Sequence, residues 1–156
     1  MTDANRIAEF HLDKTGLPTP SGVIGQEWDV AIFDLLEENS FALPQTAGPY
    51  KLNLSIRERR LVFDVRTKDD SRAAEFHLSL TPFSQVIKDY FQICASYYDA
   101  VKSLPPSQIE AIDMGRRGIH NEGGRILLER LEGKAVTDMA TARRLFTLIS
   151  ALHFKG

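Results

Sequence analysis

The sequence contains a single cysteine, Cys94, among its 156 residues. One cysteine excludes an intramolecular disulfide and any metal site built from several thiolates. No apolar run approaches the roughly 18 residues of a membrane-spanning helix. The N-terminal stretch MTDANRIAEF also lacks the basic start and apolar core of a signal peptide. We therefore expect a cytoplasmic protein with no membrane partner.

The sequence also lacks the short motifs that identify common enzyme classes. It contains no G-x-S-x-G nucleophile elbow, no G-x-x-x-x-G-K-S/T phosphate loop and no G-x-G-x-x-G dinucleotide fingerprint. None of His11, His77 and His153 has a neighbouring ligand at metal-binding spacing. The sequence therefore predicts no catalytic residue, metal or cofactor, and it does not decide whether the protein is an enzyme.

A strong net charge is absent as well, since the formal value is -2 at pH 7. A net charge this close to zero does not indicate a nucleic-acid partner. The charges are nevertheless separated along the chain. Residues 15–50 hold five acids and no lysine or arginine, whereas residues 116–156 hold eight bases and four acids, a local balance of +4. Because complementary charge sets the register of surfaces that associate, we predict self-association or a protein partner.

The composition is that of an ordinary globular protein, with 43% hydrophobic and 26% charged residues. At this length we expect one domain that covers residues 1–156. Two segments within it, residues 1–5 and 14–25, are expected to be irregular, and the second of them is rich in proline and glycine.

Strand patterns dominate the first half of the chain. Residues 6–13 alternate between apolar and polar side chains, with Ala8, Phe10 and Leu12 on one face. A helix is predicted from about Gln26 to Asn39. Three further segments between residues 50 and 80 then alternate in the same way, and they predict a hairpin-linked meander whose apolar face must be covered.

The second half of the chain has helical patterns. Thr81-Pro82 is a start signal, with Thr81 as N-cap and proline in the first turn, and this helix should extend to about Lys102 with Val101 on its apolar face. Residues 107–131 predict one helix, or two that meet at Gly123-Gly124, and a last helix covers about 137–153. Strands followed by helices predict an α+β fold, in which a small antiparallel β-meander (three strands plus an N-terminal strand) packs against a helical C-terminal half.

The chain resembles an uncharacterised family of alphaproteobacterial proteins. The resemblance covers nearly everything after Trp28, and its most distinctive string is IEAIDMGRRGIHNEG. It is carried by the segments FDLLEENSF (33–41), LTPFSQVIKDYFQICASYYDAV (80–101), PSQIEAIDMGRRGIHNEGGRILLERL (106–131) and ARRLFTLISALHF (142–154). The resemblance implies a bacterial cytoplasmic protein and a domain that spans the whole chain. It implies no activity.

The segment from Asp113 to Gly124 combines five ionisable residues with four glycines inside a helical pattern. Each glycine costs about 0.8–1 kcal/mol relative to alanine in a helix interior. The usual reasons for such glycines are close approach of another backbone, a bend, or space for a ligand, and conflicts of this kind concentrate at functional sites. We therefore place the candidate site here, with these glycines as supporting residues: Gly115, Gly118, Gly123 and Gly124.

Four side chains of this segment form the candidate anion-binding group: Arg116, Arg117, His120 and Asn121. Residues four positions apart share a helix face, and guanidinium, imidazole and amide groups suit a phosphate or carboxylate. Asp113 and Glu122 are placed to orient these donors or accept protons, and a histidine would strengthen anion binding below about pH 6.5. The alternative is that the arginines form surface ion pairs with these two acids, each worth about 0.3–0.5 kcal/mol.

Three functions are compatible with these patterns. The first, which we favour, is a regulatory or protein-interaction module that associates through complementary charge. The second is a small enzyme or ligand-binding protein for an anionic, phosphorylated or carboxylated, compound at the Arg/His-rich segment. The third is RNA or DNA binding through the basic half, which only the local excess of +4 supports. The second lacks an identifiable nucleophile or metal set.

Overall fold

The computed structural model describes residues 4–13 and 22–153, without the side chains of residues 22–24. Residues 1–3 and 14–21, which fall in the segments predicted to be irregular, lie outside these ranges. The elements follow in the order β1 (Ile7–Leu12), α1 (Gly22–Glu37), β2 (Phe41–Ala42), β3 (Tyr50–Arg57), β4 (Arg60–Thr67), β5 (Arg72–Ser79), a 3-10 turn (Thr81–Phe83), α2 (Ser84–Ser103), α3 (Pro106–Leu131), β6 (Val136–Thr137) and α4 (Met139–Ala151). The predicted α+β fold, with a helical C-terminal half, is confirmed.

The main sheet has the strand order β1-β3-β4-β5. Strands β3, β4 and β5 pair antiparallel as successive hairpins, which confirms the predicted meander. Strand β1 pairs with the free edge of β3 in parallel. A parallel pair needs a crossover connection, and α1 lies in the connection between these two strands.

One face of the sheet is apolar and forms a single hydrophobic core with all four helices. Phe63 of β4 is fully buried in this core and stacks on Phe76 of β5, with 4.9 Å between the ring centroids. On the helical side the core contains Leu35 of α1 and Tyr90 of α2. The period-two alternation in the sequence therefore assigned the correct face of the meander to the core.

Strand β1 departs from its predicted alternation. Ala8 is exposed, whereas Ile7 and Leu12 are buried. The cause is a shift of the register with β3 between Ile7 and Glu9. An irregularity of this kind breaks the strict alternation of faces along a strand, so the placement of Ala8 on the apolar face was wrong.

Helix α1 begins at Gly22 and not near Gln26, so residues 22–25 are helical rather than irregular. The glycines there were interpreted as helix breakers, and each costs about 1 kcal/mol relative to alanine. Further along the helix, Trp28 and Leu35 are buried in the core. Burial of side chains of this size stabilises by roughly 1.5–3 kcal/mol each, which is enough to extend the helix over its unfavourable first turn.

The end of α1 is fixed by Asn39, two residues beyond its last residue Glu37. The side-chain amide of Asn39 donates to the carbonyl oxygen of Leu35 at 2.7 Å and to that of Ile7 at 2.9 Å. Its side-chain oxygen accepts a hydrogen bond from the backbone N–H of Ile7 at 2.7 Å. One side chain thus ends the helix and attaches it to β1.

The start of α2 differs from the predicted Thr81 cap. Thr81 is the first residue of the 3-10 turn, and its N-cap, Leu80, makes no side-chain capping bond. The proline start signal was correct, but the fully buried Phe83 holds the turn in place rather than the threonine hydroxyl. At the other end Val101 is 51% exposed and Ala100 is buried, so the placement of Val101 on the apolar face of α2 was wrong.

Helix α3 is one continuous helix of 26 residues, so the glycine pair does not divide it. Helices α1 and α3 both pack against α4, whose residues 145–151 are all buried. The carboxylate of Asp138 caps α4 by accepting from the backbone N–H of Thr141 at 2.8 Å. Helix α4 is therefore the centre of the helical layer.

Within residues 4–13 and 22–153, no helix is long and apolar enough to cross a membrane.

Candidate functional site

A groove with a volume of about 490 Å³ lies between α1 and α3, with α4 as its floor. Three of the four predicted anion-binding residues line it, namely Arg117, His120 and Asn121 of α3. They are spaced i, i+3 and i+4, which is one face of a helix. The predicted segment therefore lies at a concave surface, although Arg116 is not among the lining residues.

Arg116 joins three helices through contacts within the chain. Its guanidinium forms an ion pair with Glu27 of α1 and a second one with Asp113, at 2.8 Å. The guanidinium carbon also lies 4.4 Å from the ring centroid of Tyr97 of α2. Because its side chain is only 20% exposed and carries these partners, Arg116 holds α1 against α2 and α3 and leaves little capacity for a ligand.

Asp113 and Glu122, the predicted supporting acids, have different partners. Asp113 binds Arg117 as well as Arg116, at 2.7 Å to the former. The hydrogen bond from Arg116 is the main reason that the pKa of Asp113 is lowered below its usual value. Glu122 pairs with Arg125, at 2.7 Å, outside the groove. The ion-pair alternative therefore holds for Asp113 but not for Glu122, whose partner is Arg125. Arg117 is 73% exposed and can still turn toward a ligand.

His120 lies at the inner end of the groove in a largely apolar setting. Its ring centroid is 4.9 Å from that of Tyr90, and its Nε2 lies 3.1 Å from the hydroxyl oxygen of Thr147. Burial, and then the charges of Arg116 and Arg143, lower the pKa of His120 to about 4. The expectation that this histidine gains charge below pH 6.5 is therefore wrong, because an apolar setting beside two arginines disfavours the imidazolium.

The hydrogen bond between His120 and Thr147 has a defined direction. The Thr147 hydroxyl donates to the carbonyl oxygen of Arg143, one turn earlier, at 3.3 Å. Its oxygen is then free to accept, so the Nε2–H of neutral His120 is the donor. His120 thus shapes the groove as a neutral group and adds no positive charge to it.

Two arginines of α4, Arg143 and Arg144, also line the groove, and they were not among the predicted site residues. Arg143 donates to the side-chain oxygen of Asn121 at 3.1 Å, and Arg144 donates to the backbone carbonyl of Glu38 at 2.7 Å. Both acceptors are neutral. In the part of the chain that the structure describes, neither guanidinium has a carboxylate within salt-bridge distance. Neither of these two positive charges is therefore paired directly with a carboxylate of the described residues.

The opposite wall of the groove is acidic. Helix α1 contributes Glu27 and Asp34, seven residues apart on the same face, with Val30 between them. Glu27 reaches across to Arg116. We predicted a partner with complementary charge because acidic and basic segments are separated in the sequence. Part of the acidic segment thus pairs with part of the basic segment inside one chain.

The four glycines of the segment have two kinds of environment. A methyl group on Gly123 would lie 2.4 Å from Cγ of Phe146, and one on Gly124 would lie 2.9 Å from Sδ of Met139. Both residues belong to α4, so these glycines allow α3 to approach it closely. A methyl group on Gly115 would lie at an ordinary 3.5 Å from Ile93, and Gly118 faces open space.

The remaining titratable candidates do not converge on this groove. His11 is on β1 and His77 is on β5, the two opposite edges of the sheet, and His77 lies 3.0 Å from a carboxylate oxygen of Glu75. Among the described residues, no group of three or more His, Cys, Asp and Glu side chains is arranged to hold a metal. Cys94 is buried in the core, and burial raises the pKa of its thiol to about 11, so its thiol has the character of a packing group.

Comparison with known proteins places the chain in a family. The model of an uncharacterised protein family, UPF0262, matches residues 4–155. The chain belongs to this family. It is 65% identical to a UPF0262 protein of Ruegeria pomeroyi, over 97% of the chain and 98% of that relative. It is 66% identical to one of Jannaschia sp. (95% and 97%) and 64% identical to one of Cereibacter sphaeroides (96% and 99%).

These relatives confirm the resemblance to an alphaproteobacterial family without an assigned function. The match extends over nearly the whole chain, including the groove-forming helices α1, α3 and α4. No solved structure matches the chain.

Proposed function

We propose that the protein binds a small anionic compound, phosphorylated or carboxylated, in the groove between α1, α3 and α4. The observation that carries the proposal is the pair Arg143 and Arg144, whose guanidiniums are held at the groove by neutral acceptors. Guanidinium forks match the geometry of phosphate and carboxylate oxygens and bind them bidentately. Arg117 on the facing helix adds a third, more exposed guanidinium.

The dimensions and composition of the groove support a small ligand. Ligand sites in proteins usually measure about 300–1,000 Å³ and combine apolar walls with a few polar groups. The groove, at about 490 Å³, has Val30, Ala31 and Ala140 among its apolar lining and Asn121 among its polar lining. The hydroxyl of Thr147, which lines the groove, already donates to the backbone carbonyl oxygen of Arg143, so it is not positioned as a nucleophile.

A titration with inorganic phosphate at pH 7, followed by amide shifts in NMR spectra, tests this proposal. We expect concentration-dependent shifts in residues 117–121 and 140–147. Replacing both groove arginines, R143Q together with R144Q, should weaken phosphate binding at least tenfold, since charge-assisted hydrogen bonds contribute about 1.5–3 kcal/mol each.

A matched control is Arg125→Gln together with Arg130→Gln, which removes two exposed guanidiniums from α3, outside the groove. This variant should bind phosphate as the unmodified protein does. The proposal would be overturned by the absence of shifts, by shifts confined to other surfaces, or by an equal loss of binding in the control.

A second candidate function, a protein-interaction module, is favoured by a different observation. Val30 and Phe33 of α1 are 56% and 63% exposed, and residues three apart on a helix lie on adjacent parts of one face. Large exposed apolar side chains beside each other are common at interaction sites. Because some of the acidic and basic residues already pair within the chain, this apolar pair is the stronger support for association.

Sedimentation analysis of the protein and of Phe33→Ser tests the self-association version. We expect a larger species at high protein concentration that becomes monomeric in the variant, with little dependence on salt because the contact is apolar. If the protein is a monomer at every concentration and salt level, this surface does not mediate self-association.

A further inference from the structure

The two walls of the groove carry opposite charges that do not meet. Asp34 of α1 is half-buried and lines the groove together with Arg143 and Arg144 of α4. Among the described residues, no salt bridge joins its carboxylate to either guanidinium, and these donate to Asn121 and to the carbonyl oxygen of Glu38 instead. A gap therefore separates a negative group from two positive groups inside one concave surface.

The other acid of this wall is not in the same situation. Glu27 is paired with Arg116 and closes the contact between α1 and α3. Asp34 has no such partner among the described residues, and it is only partly accessible to water. A carboxylate that a bound ligand covers loses its remaining contact with water, and this cost is offset when the ligand places a cation or a donor beside it. A group that enters the gap is therefore expected to supply a positive charge to Asp34.

We infer that the preferred ligand is a zwitterion, a compound that carries a primary ammonium group a few carbon atoms from its phosphate or carboxylate. The anionic end binds Arg143 and Arg144, and the ammonium end binds Asp34 on the opposite wall. This inference rests on the proposed function, because it assigns a second contact to the same ligand. It adds that the acidic wall selects for the ammonium group, while the arginines select for the anion.

A comparison of two probes tests the inference. Ethyl phosphate and 2-aminoethyl phosphate are of similar size, and only the second carries an ammonium group. We expect the protein to bind 2-aminoethyl phosphate about tenfold more tightly, or better, because a charge-assisted contact of about 1.4 kcal/mol or more corresponds to that ratio. In Asp34→Asn the ratio of the two dissociation constants should fall to about one.

The matched control is Asp29→Asn, which makes the same chemical change on the same helix. Asp29 is exposed and does not line the groove. The Asp29→Asn protein has the same net charge as the Asp34→Asn protein, but it should retain the tenfold ratio of dissociation constants. A measurement that needs no variant supports the same conclusion: the NMR signals of the Asp34 carboxylate should shift with 2-aminoethyl phosphate and remain nearly constant with ethyl phosphate.

The outcomes separate the inference from the proposed function. If neither probe binds at the groove, both are overturned. If the two probes bind there equally well, or if Asp34→Asn retains the tenfold ratio, the preference for a zwitterion is wrong and the anion site remains. Equal effects of the Asp34 and Asp29 variants would also overturn it, because the ratio would then depend on overall charge.

Discussion

Gly123 of α3 and Phe146 of α4 are in such close contact that a methyl group at position 123 would lie 2.4 Å from Cγ of the ring. The ring is fully buried and lies beside the rings of Tyr90 and His120, so it cannot turn aside without moving other core side chains. The absence of a side chain at this glycine therefore sets the distance between α3 and α4. Because these two helices form one wall and the floor of the groove, the same contact sets the shape of the candidate site.

The first prediction compares two glycine substitutions in α3. Gly123→Ala should destabilise the protein by about 1–3 kcal/mol, as for insertion of a methyl group into a packed core, even though alanine is the better helix former. Gly118→Ala places the same methyl group in open space and should stabilise by about 0.5–1 kcal/mol. Urea denaturation shows whether each variant has a higher or a lower free energy of unfolding than the unmodified protein. A more stable Gly123→Ala variant would show that this contact does not limit the approach of α3 to α4.

The second prediction concerns the core of the sheet. Phe63→Ala should lower the free energy of unfolding by about 3–5 kcal/mol, because it removes a fully buried ring that stacks on Phe76. Val136→Ala, at a side chain that is 70% exposed, is the control and should change stability by less than about 0.5 kcal/mol. A loss below about 1 kcal/mol for Phe63→Ala in denaturant melts would mean that this ring does not hold the core.

Much of this core was predictable from the sequence because the meander has one buried face. Alternation from Tyr50 onward identifies that face whatever the strands pair with, although Val62, on the other face of β4, is also fully buried. The same rule misplaced Ala8, because the register shift in β1 depends on how that strand pairs with β3. That pairing is parallel and bridges a long gap in sequence, so no local pattern contains it.

Only the part of the candidate site on α3 was predictable, because the glycines of that helix are unfavourable for helix formation. The glycines drew attention to Arg117, His120 and Asn121, which line the groove. Arg143 and Arg144 lie on a helix with a strong apolar face, and their adjacency is a weak signal in a sequence. The packing of α1 and α3 against α4 is what places these arginines at a concavity.

The third prediction concerns the ion pair between Arg116 and Glu27. Glu27→Gln should destabilise the protein by about 1–3 kcal/mol, because it leaves a guanidinium that is 20% exposed with one carboxylate partner fewer. Arg117→Gln also removes an ion pair with Asp113, but at a side chain that is 73% exposed. Its effect should stay below about 0.5 kcal/mol.

Thermal and urea melts of these two variants at the same salt concentration make the comparison. Equal losses in both would show that the pair between α1 and α3 contributes no more than an ordinary surface ion pair. A further increase of salt should reduce the small effect of Arg117→Gln more than that of Glu27→Gln, because partly buried pairs are screened less.

The last prediction concerns the dependence of stability on pH. Burial, followed by the charges of Arg116 and Arg143, lowers the pKa of His120 to about 4 in the folded protein, whereas an unperturbed histidine has a pKa of about 6.5. Between these two values the unfolded chain binds a proton that the folded protein does not bind. The contribution of His120 is therefore complete above about pH 6.5 and is lost as the pH falls toward 4, at up to about 1.4 kcal/mol per pH unit.

Urea denaturation in steps from about pH 7.5 to 5 measures this slope over a range in which few carboxylates are protonated. His120→Gln removes the titrating group and keeps an N–H donor for the hydroxyl of Thr147, so its stability should vary less with pH over the same range. An NMR titration of the His120 ring should give a midpoint near pH 4. A midpoint near 6.5, or equal slopes in the two proteins, would contradict the neutral, buried imidazole and would return a positive charge to the inner end of the groove.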